Sequence, residues 1–185
     1  MKELAFTLII TVIALSNIQA QKYYTKTGEV SFFSNTSIEN IEAVSNSAAT
    51  VYDAESGKLQ WSILIKSFEF EKALMQEHFN ENYMESSKFP KATFKGEVKN
   101  NTSLTLDKDG TYAVEVLGNL TIHGETKEVT TEAIFTVADG AIAATSTVTV
   151  LLADYKIDVP AVVRDNIAKE IKITINAEYE LLDKS

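Results

Sequence analysis

Only two histidines occur in this 185-residue chain, and cysteine is absent, so the side chains able to do covalent or metal chemistry are few. His78 follows Glu77 in a segment without strand alternation, and His123 precedes Gly124 at a turn. Two imidazoles and a carboxylate could hold zinc if folding gathered them. No ligand-pair spacing supports that, and histidines standing alone usually cap or hydrogen-bond, so no metal and no cofactor are expected. Glu77 with His78 could also act as an acid/base pair on a hydrophobic substrate. Serine is plentiful, yet the chain has neither a G-x-S-x-G elbow nor a phosphate-binding glycine loop. Carboxylates scattered along the outer positions read as solvated charge. Asn35, Asn101 and Asn119 each begin a short glycan-acceptor pattern that reads as a chance match.

Aromatic and aliphatic residues carry the stronger signal, because their spacing implies elements that place them on one side. Leu59, Trp61, Ile63 and Ile65 alternate with polar neighbours, as do Ala92, Phe94, Gly96 and Val98. Tyr112, Val114, Val116, Leu120 and Ile122 form another row, and Val129, Thr131, Ala133, Phe135 and Val137 the next. The last row runs from Ile167 through Ile171, Ile173, Ile175, Ala177 and Tyr179 to Leu181. This period of two predicts half-buried antiparallel strands. Turn residues at 53–57, 107–110, 123–124 and 139–140 join them into a meander. Leu74, Met75, His78, Phe79 and Tyr83 have helical spacing, which predicts one short helical segment within 71–87. Residues 35–47 show little pattern and read as a loop or twisted edge. Pro160 and the polar stretch at Arg164 and Asp165 read as a long connection.

About eight strands and little helix leave a closed barrel or a two-sheet sandwich. An outer-membrane barrel is disfavoured, since its outward face must be apolar. In a barrel the inner rows would line a cavity suited to a long apolar ligand. The candidate ligand-binding residues are then Trp61, Ile63, Phe79, Phe94, Val114, Val116, Phe135, Val148, Val150 and Ile173. His78 and His123 are candidates near a mouth, together with Tyr83 and Lys127 as headgroup contacts.

Lys2, the apolar run from Leu4 to Leu15, polar Ser16 and Asn17, and small Ala20 read as a signal peptide over residues 1–20. The mature chain, residues 21–185, is expected to be one domain, exported to the periplasm or secreted. No cysteine stands near the cleavage point to take a lipid anchor. Its net charge of −9 disfavours nucleic acid and anionic membrane surfaces as partners. Stable membrane insertion is not expected, and the pattern leaves the oligomeric state open, a homodimer included.

Residues 74–96, LMQEHFNENYMESSKFPKATFKG, resemble the central signature of the YceI-like family through His78, Phe89, Pro90, Phe94 and Lys95. GNLTIHGETKEV, residues 118–129, resembles its strand-turn-strand motif through Leu120, Thr121, Gly124, Thr126 and Lys127. Ala153-Asp154-Tyr155 stands where the family often has a basic residue followed by Ser-Asp-Phe-Gly, with Leu152 and Lys156 departing from it. The resemblance implies an all-β, lipocalin-like antiparallel barrel with an elongated apolar pocket and an isoprenoid chain inside. It thus implies a non-catalytic carrier of an isoprenoid or similar long-chain lipid. A packed β domain without ligand and an enzyme using the same pocket are the alternatives.

Overall fold

The computed structural model describes residues 21–182, so the expected signal peptide lies outside the described residues. Among the described residues nine strands form, eight of them long: β1 (Lys22–Asn35), β2 (Asn40–Asp53), β3 (Lys58–Leu64), β5 (Lys91–Val98), β6 (Gly110–Ile122), β7 (Glu125–Ala138), β8 (Ala141–Leu151) and β9 (Glu170–Leu181). The two-residue β4 (Glu69–Phe70) pairs only with the start of β2. Every neighbouring pair is antiparallel, and β1 bonds to both β2 and β9, which closes the sheet on itself. The architecture is an eight-stranded up-and-down barrel.

The barrel has two unlike ends. At the floor lie the turn at 54–56, the connection at 99–109 and the tight turn at Asp139-Gly140. At the other end lie the β1–β2 turn, the excursion between β3 and β5, the His123-Gly124 turn and the connection from β8 to β9. The excursion carries α1 (Ala73–His78), which runs into a π-type turn over Phe79–Tyr83. Ile65 N–H donates to Pro90 O at 2.9 Å, so the excursion leaves and rejoins the wall at one point. Among the described residues no helix is long and apolar enough to cross a bilayer.

Residues 35–47 depart from the sequence expectation, because they contain the first half of a fourteen-residue strand, β2. Its inward positions are Ala43, Ser45, Ala48, Thr50 and Tyr52, all buried. Small and hydroxylated residues hide the alternation, and their polar atoms are satisfied inside: Ser45 Oγ lies 2.7 Å from Ser67 Oγ, and Thr50 Oγ1 lies 3.2 Å from the Tyr179 hydroxyl. A register shift around Gly28 on β1 further breaks the period. The final strand begins at Glu170, not at Ile167, which ends a 3-10 segment over Ala161–Asn166. Leu181, expected inside, is exposed where β9 runs out at the floor.

The floor is packed solid. Tyr52, Phe135 and Tyr179 stack across it, with Val98, Leu104, Val114, Val137 and Ile142 around them. Asn101, read above as part of a chance glycan pattern, is a structural residue here. Its Oδ1 accepts from the Tyr52 hydroxyl, and its Nδ2 donates to Ala54 O at 2.8 Å. Burial pushes the Tyr179 phenol up to about 12, and burial above all raises Tyr52 as well. A phenol whose folded value is raised stabilises the fold below its ordinary value of about 10 and loses that contribution above it. Alkaline titration is therefore expected to show exposed tyrosines ionising first, with unfolding as pH rises from about 10 toward 12. A single smooth phenolate transition near 10, with circular dichroism unchanged, would contradict this account of the floor.

Candidate functional site: an apolar cavity in the barrel

Above the floor the interior is not filled. A cavity of about 370 Å³ extends toward the excursion end, within the roughly 300–1,000 Å³ usual for small-molecule sites. Its wall is almost wholly apolar.

Glycines explain how large aromatic residues line this space without occupying it. Gly96 on β5 pairs with Gly118 on β6. A Cβ on Gly96 would stand 2.4 Å from Leu117 O, and one on Gly118 2.5 Å from Gly96 Cα, so only glycine fits at this crossing. The Phe94 ring covers the bare pair, within 2.6 Å of both missing Cβ positions, and so lies along the wall. Trp61 uses Gly28 in the same way, its ring 3.0 Å from where a Cβ would be. Two bulky rings are thereby pressed flat against backbone, and the middle of the barrel stays open.

At the excursion end four rings converge. Phe79 stacks on Phe32 of β1 at 5.2 Å and meets Phe70 of β4 at 5.0 Å and Phe68 at 5.8 Å. These contacts hold α1 and the π-type turn over one side of the opening, with Met84 N–H donating to Phe79 O at 2.9 Å. The polar groups at this rim tie separate segments together. Glu39 in the β1–β2 turn pairs with Lys72 at 3.7 Å and accepts from Asn166 Nδ2 at 3.1 Å, while Ser34 Oγ accepts from Ala168 N–H at 2.9 Å.

Of the candidate residues, Trp61, Ile63, Phe79, Phe94, Val116, Phe135, Val148, Val150, Ile173 and His78 all border the cavity, as does Tyr83. Val114 does not, because one further step along β6 brings it down into the packed floor. His123 also stands outside the cavity wall. Its Nδ1 lies 3.1 Å from Tyr155 O, its Nε2 lies 3.3 Å from Glu85 Oε2, and its ring meets Phe89 edge-on at 4.6 Å. Lys127 is exposed. Phe32, Phe68, Phe70, Leu120, Ile122, Ile171 and Ile175 border the cavity without having been candidates. The alternation on β6 and β9 already marked Leu120, Ile122, Ile171 and Ile175 as inward; Phe32 carried no such signal, since β1 is bulged.

Glu77 and His78 are successive residues of α1, so their side chains leave the helix in different directions. No hydrogen bond or ion pair joins them among the described residues, and both are exposed. Among the described residues no group of three or more His, Asp and Glu side chains is placed to hold a metal ion.

The stretches that carry the family likeness also meet in space. Phe89 packs on His123 and over Gly124, where the φ is +78° and a Cβ would stand 2.5 Å from that ring, so no side chain fits. Lys156 occupies the left-handed region at φ +52°, the place where the likeness puts glycine. Its ammonium reaches Glu125 Oε1 at 2.8 Å.

A closed antiparallel barrel with an apolar interior and one solid end defines a lipocalin-like fold. The profile of the YceI-like domain matches residues 17–179, and the chain belongs to that family. Solved structures agree on the fold. A polyisoprenoid binding domain from Saccharophagus degradans, implicated in plant cell wall breakdown, superposes with a TM-score of 0.76 at 15% identity, covering 89% of this chain and 100% of its own. BcnA of Burkholderia cenocepacia gives 0.67 at 17% identity over 83% and 96%. The YceI protein of Campylobacter jejuni gives 0.53 at 20% over 100% of both chains. Comparison with curated proteins finds no match.

Proposed function

We propose that this protein is an exported, non-catalytic carrier that holds an isoprenoid or similar long apolar lipid inside its barrel. The observation that carries the reading is the open apolar cavity above a packed floor, kept clear by rings lying on glycine. A domain that needed only to be stable would fill that space, since unfilled volume forfeits dispersion contacts. Each buried methylene contributes about 0.8 kcal/mol, so an isoprene unit offers on the order of 3 to 4 kcal/mol. A few units reach the roughly 8 kcal/mol net of micromolar binding after association costs. No strong polar contact is required. The fold likeness to a domain described as polyisoprenoid binding supports the same ligand class.

Trp61, Ile63, Phe79, Phe94, Val116, Phe135, Val148, Val150 and Ile173 are the proposed chain contacts, with His78 and Tyr83 nearest a headgroup. Export rests on the pattern of residues 1–20, with 21–185 as the working domain and the periplasm or the medium as its place. Glu77 and His78 leave α1 in different directions, a placement that favours binding over turnover. Native mass spectrometry of the purified protein, paired with solvent extraction, is expected to reveal a co-purifying lipid or uptake of an added polyprenyl probe. A protein that carries no lipid and takes up no probe would overturn the carrier reading.

A further inference from the structure

The wall of the barrel is not laddered throughout: the β2–β3 ladder stops at Ala49↔Ser62, where β4 pairs with Ala43 and Val44 of β2 instead, and the β7–β8 ladder stops short with no further strand beside it. Strand β7 pairs with β6 along its whole length, from Gly110↔Val137 to Ile122↔Glu125, and β8 pairs with β9 as far as Leu151↔Glu170. Between β7 and β8, however, the ladder runs only from Ala138↔Ala141 to Ala133↔Ser146. Residues 125–131 and 147–151 form no ladder pair with each other.

The ladder ends on a reciprocal pair of side-chain bonds. In the continuing register Glu132 would face Thr147 and exchange amide hydrogen bonds with it. Instead the Ser146 hydroxyl donates to Glu132 O at 2.7 Å, and the Thr131 hydroxyl donates to Thr147 O at 2.8 Å. Two hydroxyls thus take the carbonyls that the next rung needs, and the strands part. Toward the excursion end the gap is spanned again by Lys156 on Glu125 at 2.8 Å and by His123 against Tyr155 O. Thr145 has outward parity, being paired with the half-exposed Ile134, yet it borders the cavity. Thr131 and Ser146, where the ladder ends, border the cavity as well, so the cavity lies directly behind the foot of this opening.

We propose that the β7–β8 fissure is a side entrance to the cavity, through which a linear apolar chain passes by parting the seam, and that Thr131 and Ser146 keep that seam from zipping. This rests on the lipid-binding reading and adds the route. A long flexible chain threaded endwise past four packed phenylalanines would have to displace them together, whereas a slot admits it a few methylenes at a time. The unpaired strand edges lie in the slot, and β7 brings Glu125, Lys127 and Glu128 to it, charges of the kind that discourage a neighbouring strand from adding there.

Because the natural chain has no cysteine, a staple can be placed without background. Thr130→Cys with Thr149→Cys puts two outward, exposed thiols across the fissure, to be bridged by a short bis-methanethiosulfonate linker that reductant removes. Thr111→Cys with Thr136→Cys, an outward pair on the closed β6–β7 seam, is the control. The readout is the rate at which each protein takes up a fluorescent polyprenol from phosphatidylcholine vesicles. The fissure staple is expected to slow uptake by about tenfold or more, with reductant restoring it and the control staple without effect. Equal rates with and without the fissure staple, or equal slowing by both staples, would overturn the entrance while leaving lipid binding standing. No uptake by the unstapled protein would overturn both.

Discussion

Replacing Phe135 by Ala is expected to lower the stability of the barrel by about 3–5 kcal/mol, the usual range for emptying a large buried aromatic site. Phe135 is 1% exposed and is the keystone of the floor. Its ring lies parallel to that of Tyr179 at 6.3 Å and tilted against Tyr52 at 5.3 Å, so its removal strips two aromatic partners at once. The hole cannot close by collapse, because the space above it is already open and β7 is held at this level by pairing of Phe135 with Tyr112 of β6 and Ala144 of β8. Urea unfolding followed by tryptophan fluorescence should show a lower midpoint at unchanged slope. A loss under about 1 kcal/mol would mean that the floor is not the stable end of the molecule.

Ala92→Trp should have the opposite profile, a folded protein that no longer binds. Ala92 lies on β5 opposite Ile63 and borders the cavity. An added indole would enter volume that no protein atom occupies, so it should not incur the strain that overpacking a filled core costs. It would instead take the place of the ligand chain. Affinity for a polyprenyl probe is expected to fall by about 100-fold or more, equivalent to roughly 2.8 kcal/mol, with the melting temperature near that of the parent. Undiminished uptake by a folded variant would place the ligand elsewhere and remove the basis for the carrier reading.

Strands β3, β5, β6, β7 and β9 were legible because each alternates a greasy face with a wet one. Trp61, Phe94, Val116 and Phe135 could thus be assigned to the interior by parity alone. β2 was not legible, since Ser45 and Thr50 are buried polar residues whose partners, Ser67 and Tyr179, lie far away in the chain. A hydroxyl that will be satisfied by a remote residue looks, in isolation, like a loop residue. Parity also could not tell Val114 from Val116: both face inward, and only the height of the floor separates a core residue from a cavity residue.

By itself the sequence determined that the chain folds as antiparallel strands with a polar outside, that thiol chemistry is impossible, and that the YceI-like likeness runs through nearly all of the domain. Those properties are local, set by side-chain period, turn chemistry and residue type. Tertiary structure alone decided that the barrel is hollow above its floor, that His123 braces a turn beside Phe89 while His78 borders the opening, and that the β7–β8 seam is left unzipped beyond Ala133. Each of those depends on what stands across the barrel or in the adjacent strand. A missing Cβ matters only when a ring from a neighbouring position comes to lie on it, and a hydroxyl ends a ladder only when the opposing carbonyl is within its reach.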